Sequence, residues 1–477
     1  MKKFFIGLGT LLAIFIAILL INTFTFTSRQ ILYPAIKQKS LTSNAIQHMQ
    51  EAVRIPTVSH ERGEEFDSTK FIAFQNFLKI TYPLVDSLLH KEKINTYSLL
   101  YTWQGKSHDI KPVILMAHYD VVPVDEPTWN DWKAGPFSGD IVDKSIWGRG
   151  SMDDKASLIA IMESVESLLK EGFQPQRTIY LAFGHDEEIG GNDGAEYLAK
   201  TLKDRNIYAD FIVDEGGFVL DKFIPGVEKP VALIATAEKG YLTNTLTVTT
   251  KGGHSSMPTR DNAIGTLATA IHDLENDQFD YKMIQTSKEF IDYLGPELPF
   301  TMKMVFANKW LFGKMILKGL SNHTTIAPTI INAGVKDNVL PTKAEAKINH
   351  RILPGESSTE VIAHVKKAIH NERVKITAGE TNEPSAITDS DTEAFRILAK
   401  TIVEVMPGTI VTPGLTPGGT DTKHYTDVAH YIYRFSPIRF SKDTDGPHSV
   451  NEHLPLVDYQ NSINFYEQLI RNLNQKD

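Results

Sequence analysis

The chain has 477 residues, 42% of them hydrophobic and 22% charged, which is the composition of a folded globular protein. A chain of this length is longer than a domain with a single hydrophobic core usually is, which indicates two domains, or one domain with an insertion. The formal net charge of -9 argues against nucleic-acid binding, because no basic surface is available to displace phosphate counterions. The absence of cysteine excludes thiolate zinc sites, cysteine nucleophiles and disulfides, so any transition metal must be held by histidine and carboxylate.

The N-terminus predicts a membrane anchor. Lys2 and Lys3 precede an uncharged, mostly apolar stretch at 4–26, and roughly 20 such residues cross the ~30 Å hydrocarbon core as a helix. The lysines predict a cytoplasmic N-terminus and an exported body, in the bacterial periplasm or its lumenal or extracellular equivalent. We assign 1–27 to a signal anchor and 28–40 to a stalk. A cleaved signal peptide and a buried soluble helix are the alternatives.

Short apolar runs alternate with helical periodicity in the region that follows. Strands are predicted at 113–117, 178–183 and 209–213, and a helix at 155–169. This alternation predicts an α/β fold, in which helices cover both faces of a parallel-type sheet. Ligands of such sheets bind beyond the carboxyl ends of the strands. The acid and histidine motifs of this chain lie at those ends.

From about residue 239 the pattern becomes that of a small α+β unit. The elements that this pattern predicts are strands at 245–250, 344–352 and 374–378 and helices at 262–274 and 358–369. We therefore predict a two-layer α+β sandwich inserted into the catalytic domain. The predicted catalytic domain comprises 41–238 and 381–477, and the inserted lid or dimerisation domain comprises 239–380.

The motifs MAHYDVV and GRGSMDDK supply a histidine and several acids. His118 and Asp120 stand at i and i+2 after a strand, so their side chains point the same way if the strand continues. A carboxylate beside a ligand histidine fixes the ring tautomer, which assigns His118 to a metal and Asp120 to orienting it. Adjacent carboxylates repel unless a cation neutralises them, so Asp153 is the predicted ligand that bridges two metals. Asp154 either supports the site with Lys155 or caps the following helix.

The motifs GHDEEIGG, IVDEGG and DGPHSVNE complete the set. Glu187 and Glu188 are neighbours that face opposite sides of an extended chain. One should therefore bind a metal, and the other should act as general base on the attacking water. Asp214 is the candidate for a third carboxylate ligand, with a turn residue as the alternative. His448 adds the second histidine, with an ordinary surface histidine as the alternative.

The order of these motifs resembles the zinc metallopeptidase family of aminoacylase, glutamate carboxypeptidase, carnosinase and succinyl-diaminopimelate desuccinylase. The string HYDVVPVDEPTW…W…PFSGDIVDKSIWGRGSMDDK looks most like the branch of Gly-X carboxypeptidase and N-acyl-amino-acid synthase/hydrolase. The resemblance implies a two-domain di-zinc exopeptidase fold with an α/β/α catalytic domain, and Glu187 as general base. It implies two Zn²⁺ ions, with cobalt or manganese as alternatives. The implied ligands are His118, Asp153 and Asp214 for one ion and Asp153, Glu188 and His448 for the other.

The resemblance also assigns the substrate side of the site. His254 in GGHSSMP would stabilise the oxyanion, and Arg351 in NHRILPG would clamp a free carboxylate. Gly418 and Gly419 in TPGGTDTKHY would contact the substrate. The implied reaction is hydrolysis of an amide bond next to a free carboxylate, in a short peptide or an N-acyl amino acid. Deacylation of another small molecule and a non-catalytic binding protein are the alternatives.

The sequence allows more than one interpretation of the lid contacts and of the segment 302–320. A homodimer through the lid would let His254 serve a neighbouring copy, and action within one copy is the alternative. The segment 302–320 carries four lysines among Met, Trp, Phe and Leu residues, and it has no acid. Contact with the membrane surface, or a lid helix pair that covers a core or a dimer interface, would explain that pattern.

Overall fold

The computed structural model describes residues 2–60, 66–441 and 446–474; Asp445, the first residue of the DGPHSVNE motif, lies outside them. The strands are β1 (His90–Ile94), β2 (Ser98–Trp103), β3 (Val113–His118), β4 (Ile141–Val142), β5 (Ser145–Trp147), β6 (Ile179–Gly184), β7 (Ala209–Asp214), β8 (Val219–Leu220), β9 (Val231–Glu238), β10 (Gly240–Thr249), β11 (Gly253–His254), β12 (Ala327–Ala333), β13 (Val339–Leu340), β14 (Lys343–Ile352), β15 (Val374–Asn382), β16 (Ile410–Thr416), β17 (Ala429–Arg434), β18 (Arg439–Phe440) and β19 (His453–Pro455). The helices are α1 (Lys2–Thr25), α2 (Ser43–Val53), α3 (Ser68–Thr81), α4 (Pro83–Leu88), α5 (Lys155–Lys170), α6 (Ala195–Asp204), α7 (Ala263–Asn276), α8 (Gln285–Leu294), α9 (Phe300–Ala307), α10 (Lys309–Gly319), α11 (Ser358–Ile369), α12 (Glu393–Val405) and α13 (Leu456–Asn472).

A ten-stranded mixed sheet forms the body of the protein. Its strand order is β1-β2-β6-β3-β7-β17-β9-β8-β18, and β16 pairs with β9. The three strands predicted first are β3, β6 and β7, which lie side by side and parallel. Every residue of β3 is buried, as expected for a strand that is covered on both faces. Their carboxyl ends therefore meet at one edge of the sheet.

Helices cover both faces of this sheet, so the mixed α/β fold class is confirmed. On one face, α5, α12 and α13 pack together with α2 and α3 into the largest apolar core. On the other face, Leu198 and Leu202 of α6 pack against the sheet in a separate core. The predicted helix 155–169 is α5, and it begins within one residue of the GRGSMDD turn.

A second sheet lies in the region predicted as the lid. Its order is β12-β14-β10-β15, and α7 and α11 pack on it around an apolar core of its own. Strands β10 and β14 bury every second residue, which fixes their register against the helices. Helix α11 begins at a capping box formed by Ser357 and Glu360.

Helices α8, α9 and α10 interrupt this unit and pack elsewhere. Helix α8 contacts β16 of the main sheet, and Leu294 joins Val231 and Ile410 in a small core. The prediction treated 239–380 as one continuous lid, whereas residues 285–319 return to the catalytic body. Helix α8 and one side of α9 pack on the catalytic body, whereas other apolar side chains of α9 and α10 are exposed or lie against α1.

The N-terminal helix and the segment after it lie against this body. Helix α1 has 24 residues and is long and apolar enough to cross a membrane. Residues 28–40 lack regular secondary structure but are hydrogen-bonded to the body. Gln30 Nε2 donates to Val411 O at 2.9 Å, and Ile36 N donates to Glu404 O at 3.0 Å. The segment predicted as a stalk therefore runs as a strap along the catalytic body.

Candidate metal centre and catalytic cleft

Asp153 lies at the centre of the predicted metal site. Its Oδ1 is 2.9 Å from His118 Nε2, and its Oδ2 is 3.1 Å from His448 Nε2. Glu188 Oε2 lies 3.0 Å from the same nitrogen of His448. These side chains come from the end of β3, the turn after β6, the turn before α5 and the loop before β19. Two oxygens of one carboxylate thus face two histidines, as in a carboxylate shared by two metal positions.

Glu215, the neighbour of the predicted ligand Asp214, faces His118. Glu215 Oε1 lies 3.3 Å from His118 Nε2. Asp214 ends β7 in register with Arg434 of β17, and its Oδ2 has no hydrogen-bond partner among the described residues. Successive side chains of an extended chain point to opposite sides, so the geometry favours Glu215 as the ligand. Asp214 stays a prediction, and the IVDEGG motif holds both acids.

Asp120 ties the histidine to the turn that carries the two glutamates. Its Oδ1 accepts a hydrogen bond from Glu187 N and its Oδ2 accepts one from Glu188 N, both at 3.1 Å. Asp120 Oδ1 also lies 3.3 Å from His118 Nδ1. Burial acts to raise the pKa of Asp120, but the hydrogen bond with His118 keeps that pKa below its ordinary value. The sequence predicted the contact with His118, whereas the two bonds to the turn were not foreseen.

The donor set fits divalent transition-metal ions. His118, Asp153 and Glu188 each bring a ligand atom within 4.8 Å of the others, and His118, Asp154 and Glu215 form a second such group. Imidazole and carboxylate without thiolate suit zinc, cobalt or manganese. Lys155 takes no part, because its Nζ donates to two backbone carbonyls of the body, at 3.0 and 2.6 Å, rather than to Asp154. Asp154 precedes α5 but makes no side-chain capping bond.

Burial makes these acids difficult to ionise on their own. It raises the pKa of Glu188 to about 7, with a contribution from Asp153, and the pKa of Asp214 to about 6. It also raises the pKa of Glu187 and of Glu215 well above the ordinary value. Cations at the centre of this cluster would hold all of the carboxylates ionised. The electrostatics of the site therefore supports metal binding.

The turn after β6 requires glycine where the sequence places it. Gly191 has a φ of +70°, and a Cβ on it would lie 2.1 Å from Asp421 Oδ1. Any other residue would push the buried Asp421 away from the back of the turn. The turn that carries Glu187 and Glu188 is therefore fixed from behind as well as by Asp120.

A buried ion pair that the sequence did not reveal joins two loops of the site. Glu452 Oε2 accepts a hydrogen bond from Arg149 Nη1 at 2.7 Å, and Glu452 Oε1 accepts one from Met152 N at 2.8 Å. Arg149 Nη2 also donates to His448 O at 3.1 Å. The pair fixes the backbone beside both Asp153 and His448. Arg149 and Glu452 belong to the motifs GRGSMDDK and DGPHSVNE, but the spacing of these motifs in the sequence does not indicate that the two side chains form an ion pair.

A polar cleft of about 620 Å³ opens over the centre. Its wall includes Glu187, Glu188 and His448 together with Arg351 and Tyr241 of the second sheet. The Arg351 guanidinium lies over the Tyr241 ring, with Cζ 5.0 Å from the ring centroid. Stacking leaves the edge of a guanidinium free to bind a carboxylate with two parallel hydrogen bonds.

The other predicted substrate residues differ in position. Gly419 lines the cleft, whereas Gly418 and His254 are not among the described residues of its wall. His254 lies on β11, which pairs with β13, and it is exposed with Nδ1 2.8 Å from Ser256 Oγ. The structure therefore brings Arg351 and Gly419 to the catalytic groups and leaves His254 away from them.

Comparison with known proteins agrees with this geometry. Residues 114–472 match the profile of a family described as Peptidase family M20/M25/M40. The chain is 41% identical over 475 residues to "Probable carboxypeptidase S-like 2" of Dictyostelium discoideum, covering 95% of this chain and 91% of the relative. It is 36% identical over 481 residues to an N-fatty-acyl-amino acid synthase/hydrolase of Xenopus tropicalis, covering 97% and 93%.

The fold also matches a solved structure. The M20 family metallo-carboxypeptidase Sso-CP2 of Sulfolobus solfataricus superposes with a TM-score of 0.69 at 19% sequence identity. The match covers 91% of this chain and 100% of the Sso-CP2 chain. The motifs predicted both this family and the branch that holds the two relatives. The chain belongs to peptidase family M20/M25/M40, a family of metal-dependent hydrolases.

Proposed function

We propose that the protein hydrolyses an amide bond next to a free carboxylate. The observation that carries this proposal is the presence of Glu187, His448 and Arg351 in the wall of one cleft. His448 belongs to the candidate metal centre around Asp153, Glu187 is the candidate base beside that centre, and Arg351 offers a binding group for a carboxylate. Relatives named as a carboxypeptidase and as an N-fatty-acyl-amino acid hydrolase support the same class of reaction.

Two metal ions would share the centre, most simply zinc, with cobalt or manganese as alternatives. Such ions supply Lewis acidity to an amide carbonyl and lower the pKa of a water molecule. His118, Asp153 and Glu215 would hold one ion, and Asp153, Glu188 and His448 would hold the other.

Glu187 would move the proton. Its backbone N is bound by Asp120 at 3.1 Å, and its carboxylate lines the cleft. This carboxylate would accept a proton from the attacking water and return it to the leaving amine. Asp120 would contribute by holding the imidazole of His118 and the turn of Glu187 in one arrangement.

Arg351 would define the class of substrate. A short peptide with a free C-terminus and an N-acyl amino acid both carry a carboxylate next to the amide, and a guanidinium binds such a group with two hydrogen bonds. His254 would stabilise the oxyanion. Because His254 is exposed on β11, it needs either closure of the second sheet over the cleft or a second copy of the chain.

Helix α1 would stay attached as an anchor, with the catalytic body on the exported side. Asn22 Nδ2 donates to Asn308 Oδ1 at 2.9 Å, and Asn308 Nδ2 donates to Leu19 O at 3.2 Å. Asn308 is fully buried. Removal of α1 would take away partners of a buried amide, which is unfavourable. These contacts support retention of the helix, and Lys2 and Lys3 support a cytoplasmic N-terminus.

The test is hydrolysis by the full-length chain, purified in detergent and supplied with zinc. Dipeptides and N-acyl-phenylalanines are compared with the same compounds carrying a C-terminal carboxamide. We expect the carboxylate forms to react at least about tenfold faster, because a charge-assisted hydrogen bond is lost in the carboxamides. Failure on every amide, or equal rates for both forms, would overturn the proposal.

A further inference from the structure

A second cavity, which we call the apolar chamber, lies beside the catalytic cleft. Its volume is about 840 Å³, within the roughly 300–1,000 Å³ of small-molecule sites. Its walls come from α8, from the hairpin of α9 and α10, and from the end of β16. Phe290, Leu294, Met302, Phe306 and Ile316 are typical of its lining. The lysine-containing segment 302–320, whose role the sequence left open, therefore forms much of one wall.

Lys239 belongs to the wall of both cavities. Its Nζ donates to Ser321 O at 3.1 Å and to His323 O at 2.8 Å. Thr286, another polar residue of the chamber, has its hydroxyl 3.2 Å from that of Thr236. These polar groups already have partners within the protein. The mostly apolar lining would leave many amide groups of a bound peptide without hydrogen bonds, whereas a hydrocarbon chain has no such groups.

The hairpin that encloses the chamber also packs on α1. The rings of Phe24 and Phe300 are 5.9 Å apart, and those of Phe15 and Trp310 are 6.1 Å apart. Phe15 and the end of α1 at Thr25 are separated by roughly 15 Å of helix, about half of a hydrocarbon core. If α1 crosses a bilayer, the hairpin lies at the depth of the leaflet next to the catalytic body.

The outer face of the hairpin suits contact with lipid. Phe300, Trp310 and Leu311 are exposed by 50%, 59% and 44%, although they are large and apolar, and none of the three lines the chamber. Lys314 and Lys318 are exposed on the same hairpin. Long lysine side chains can reach lipid phosphates while their stems stay on apolar surface. One face of the hairpin thus has the composition that suits a lipid surface, and the other faces the chamber.

We propose that the apolar chamber binds the hydrocarbon chain of a long-chain N-acyl amino acid that enters from this leaflet. The inference rests on the proposed function and narrows its class of substrate. The substrate carboxylate would lie at Arg351, its amide at the metal centre and its acyl chain beyond Lys239. An amphiphile dissolved in the bilayer presents its chain at the depth of the hairpin.

The first test is a series of N-acyl-phenylalanines, from acetyl to palmitoyl, offered to the full-length chain in lipid nanodiscs. Transfer of each methylene into an apolar site raises binding by up to about fourfold. We expect kcat/KM to rise with acyl length until the chamber is full. A kcat/KM that does not depend on acyl length would overturn the inference.

Two glycines of α10 supply a matched pair of variants. A Cβ on Gly313 or on Gly319 would meet no heavy atom within 4 Å, but of the two only Gly319 lines the chamber. We expect Gly319→Phe to lower the palmitoyl-to-acetyl ratio of kcat/KM at least about tenfold, which corresponds to the loss of two or so buried methylenes. Gly313→Phe should leave the ratio unchanged. Equal ratios in the two variants would place the acyl chain elsewhere.

Failure of this inference differs from failure of the proposed function. If dipeptides and acetyl-phenylalanine are hydrolysed as well as palmitoyl-phenylalanine, the function stands and the chamber inference falls. If no amide is hydrolysed, calorimetric binding of N-palmitoyl-phenylalanine to Glu187→Ala protein still tests the chamber. We expect adding Gly319→Phe to weaken that binding about tenfold, and unchanged affinity would contradict the inference.

Discussion

The catalytic cleft and the apolar chamber meet at Lys239 but are built in opposite ways. The cleft gathers charged side chains from the ends of neighbouring strands, and its chemistry depends on distances near 3 Å, such as the 2.9 Å between Asp153 and His118. The chamber gathers apolar side chains from helix faces, where a similar volume serves about as well. In this account a few fixed residues of the cleft would define the reaction and the carboxylate, whereas the broad surface of the chamber would select the length of the acyl chain.

The largest expected effect tests whether the cleft alone carries the chemistry. Glu187→Gln keeps the size of the side chain and removes its basic oxygen, so kcat should fall about 1,000-fold or more. Zinc content and binding of the acyl chain should persist, because Glu187 is assigned to neither. Elemental analysis and a product assay measure the two properties. Activity within about tenfold of the wild type would assign the base to another group.

Arg351 tests whether the carboxylate is recognised in the cleft rather than in the chamber. Arg351→Met should lower kcat/KM for N-acyl-phenylalanine about 100-fold, because charge-assisted hydrogen bonds to the carboxylate are lost. The carboxamide form of the substrate should be hydrolysed almost as before. Arg351→Lys should recover part of the activity. An equal loss on both forms would mean that Arg351 supports the fold instead.

Variants of Glu215 and Asp214 decide which of these two neighbouring acids binds the metal. Glu215→Gln should weaken zinc binding about 100-fold, whereas Asp214→Asn should change it by less than about tenfold. Competition with a coloured chelator gives both affinities. The opposite order would restore Asp214 as the ligand.

The smallest effect concerns stability without metal. Burial raises the pKa of Glu188 to about 7, and hydrogen bonds to Asp153 and Glu188 raise the pKa of His448 to about 10. At these two groups the folded, metal-free protein therefore binds more protons than the unfolded chain above the ordinary glutamate pKa of 4.5, and their contribution to stability falls as the pH rises toward 7.

We expect the Tm of chelated protein to fall by several degrees between about pH 5 and about pH 8. The zinc-loaded protein should lack this fall, because its ligands are held ionised at both pH values. Differential scanning fluorimetry makes the comparison. A metal-free Tm that rises over this range would contradict the electrostatic account of the site.

The contrast between the two regions also explains what the sequence could predict. His118, Asp153, Glu188 and His448 stand in short motifs at strand ends, and the ends of adjacent parallel strands meet at one sheet edge. Their side chains lie together around Asp153 for that reason. The position of Glu215 beside His118 was not predicted, because it depends on the side to which the residue after β7 turns.

The surroundings of the chamber could not be predicted in this way. A lid helix pair was one alternative for 302–320, and α9 and α10 are two helices, but the composition of an apolar face does not show which surface that face will cover. Its partners, α1 and the main sheet, are distant in the sequence. The strap at 28–40 was missed for the same reason, since its contacts are hydrogen bonds to remote backbone groups.

The central claim is that one carboxylate, Asp153, serves two metal positions. The direct measurement is the zinc content of purified wild-type, His118→Ala, His448→Ala and Asp153→Ala proteins after equal dialysis. We predict about two zinc ions per chain in the wild type, about one in each histidine variant and almost none in Asp153→Ala. An Asp153→Ala protein that kept a full zinc ion as firmly as the histidine variants would contradict the account.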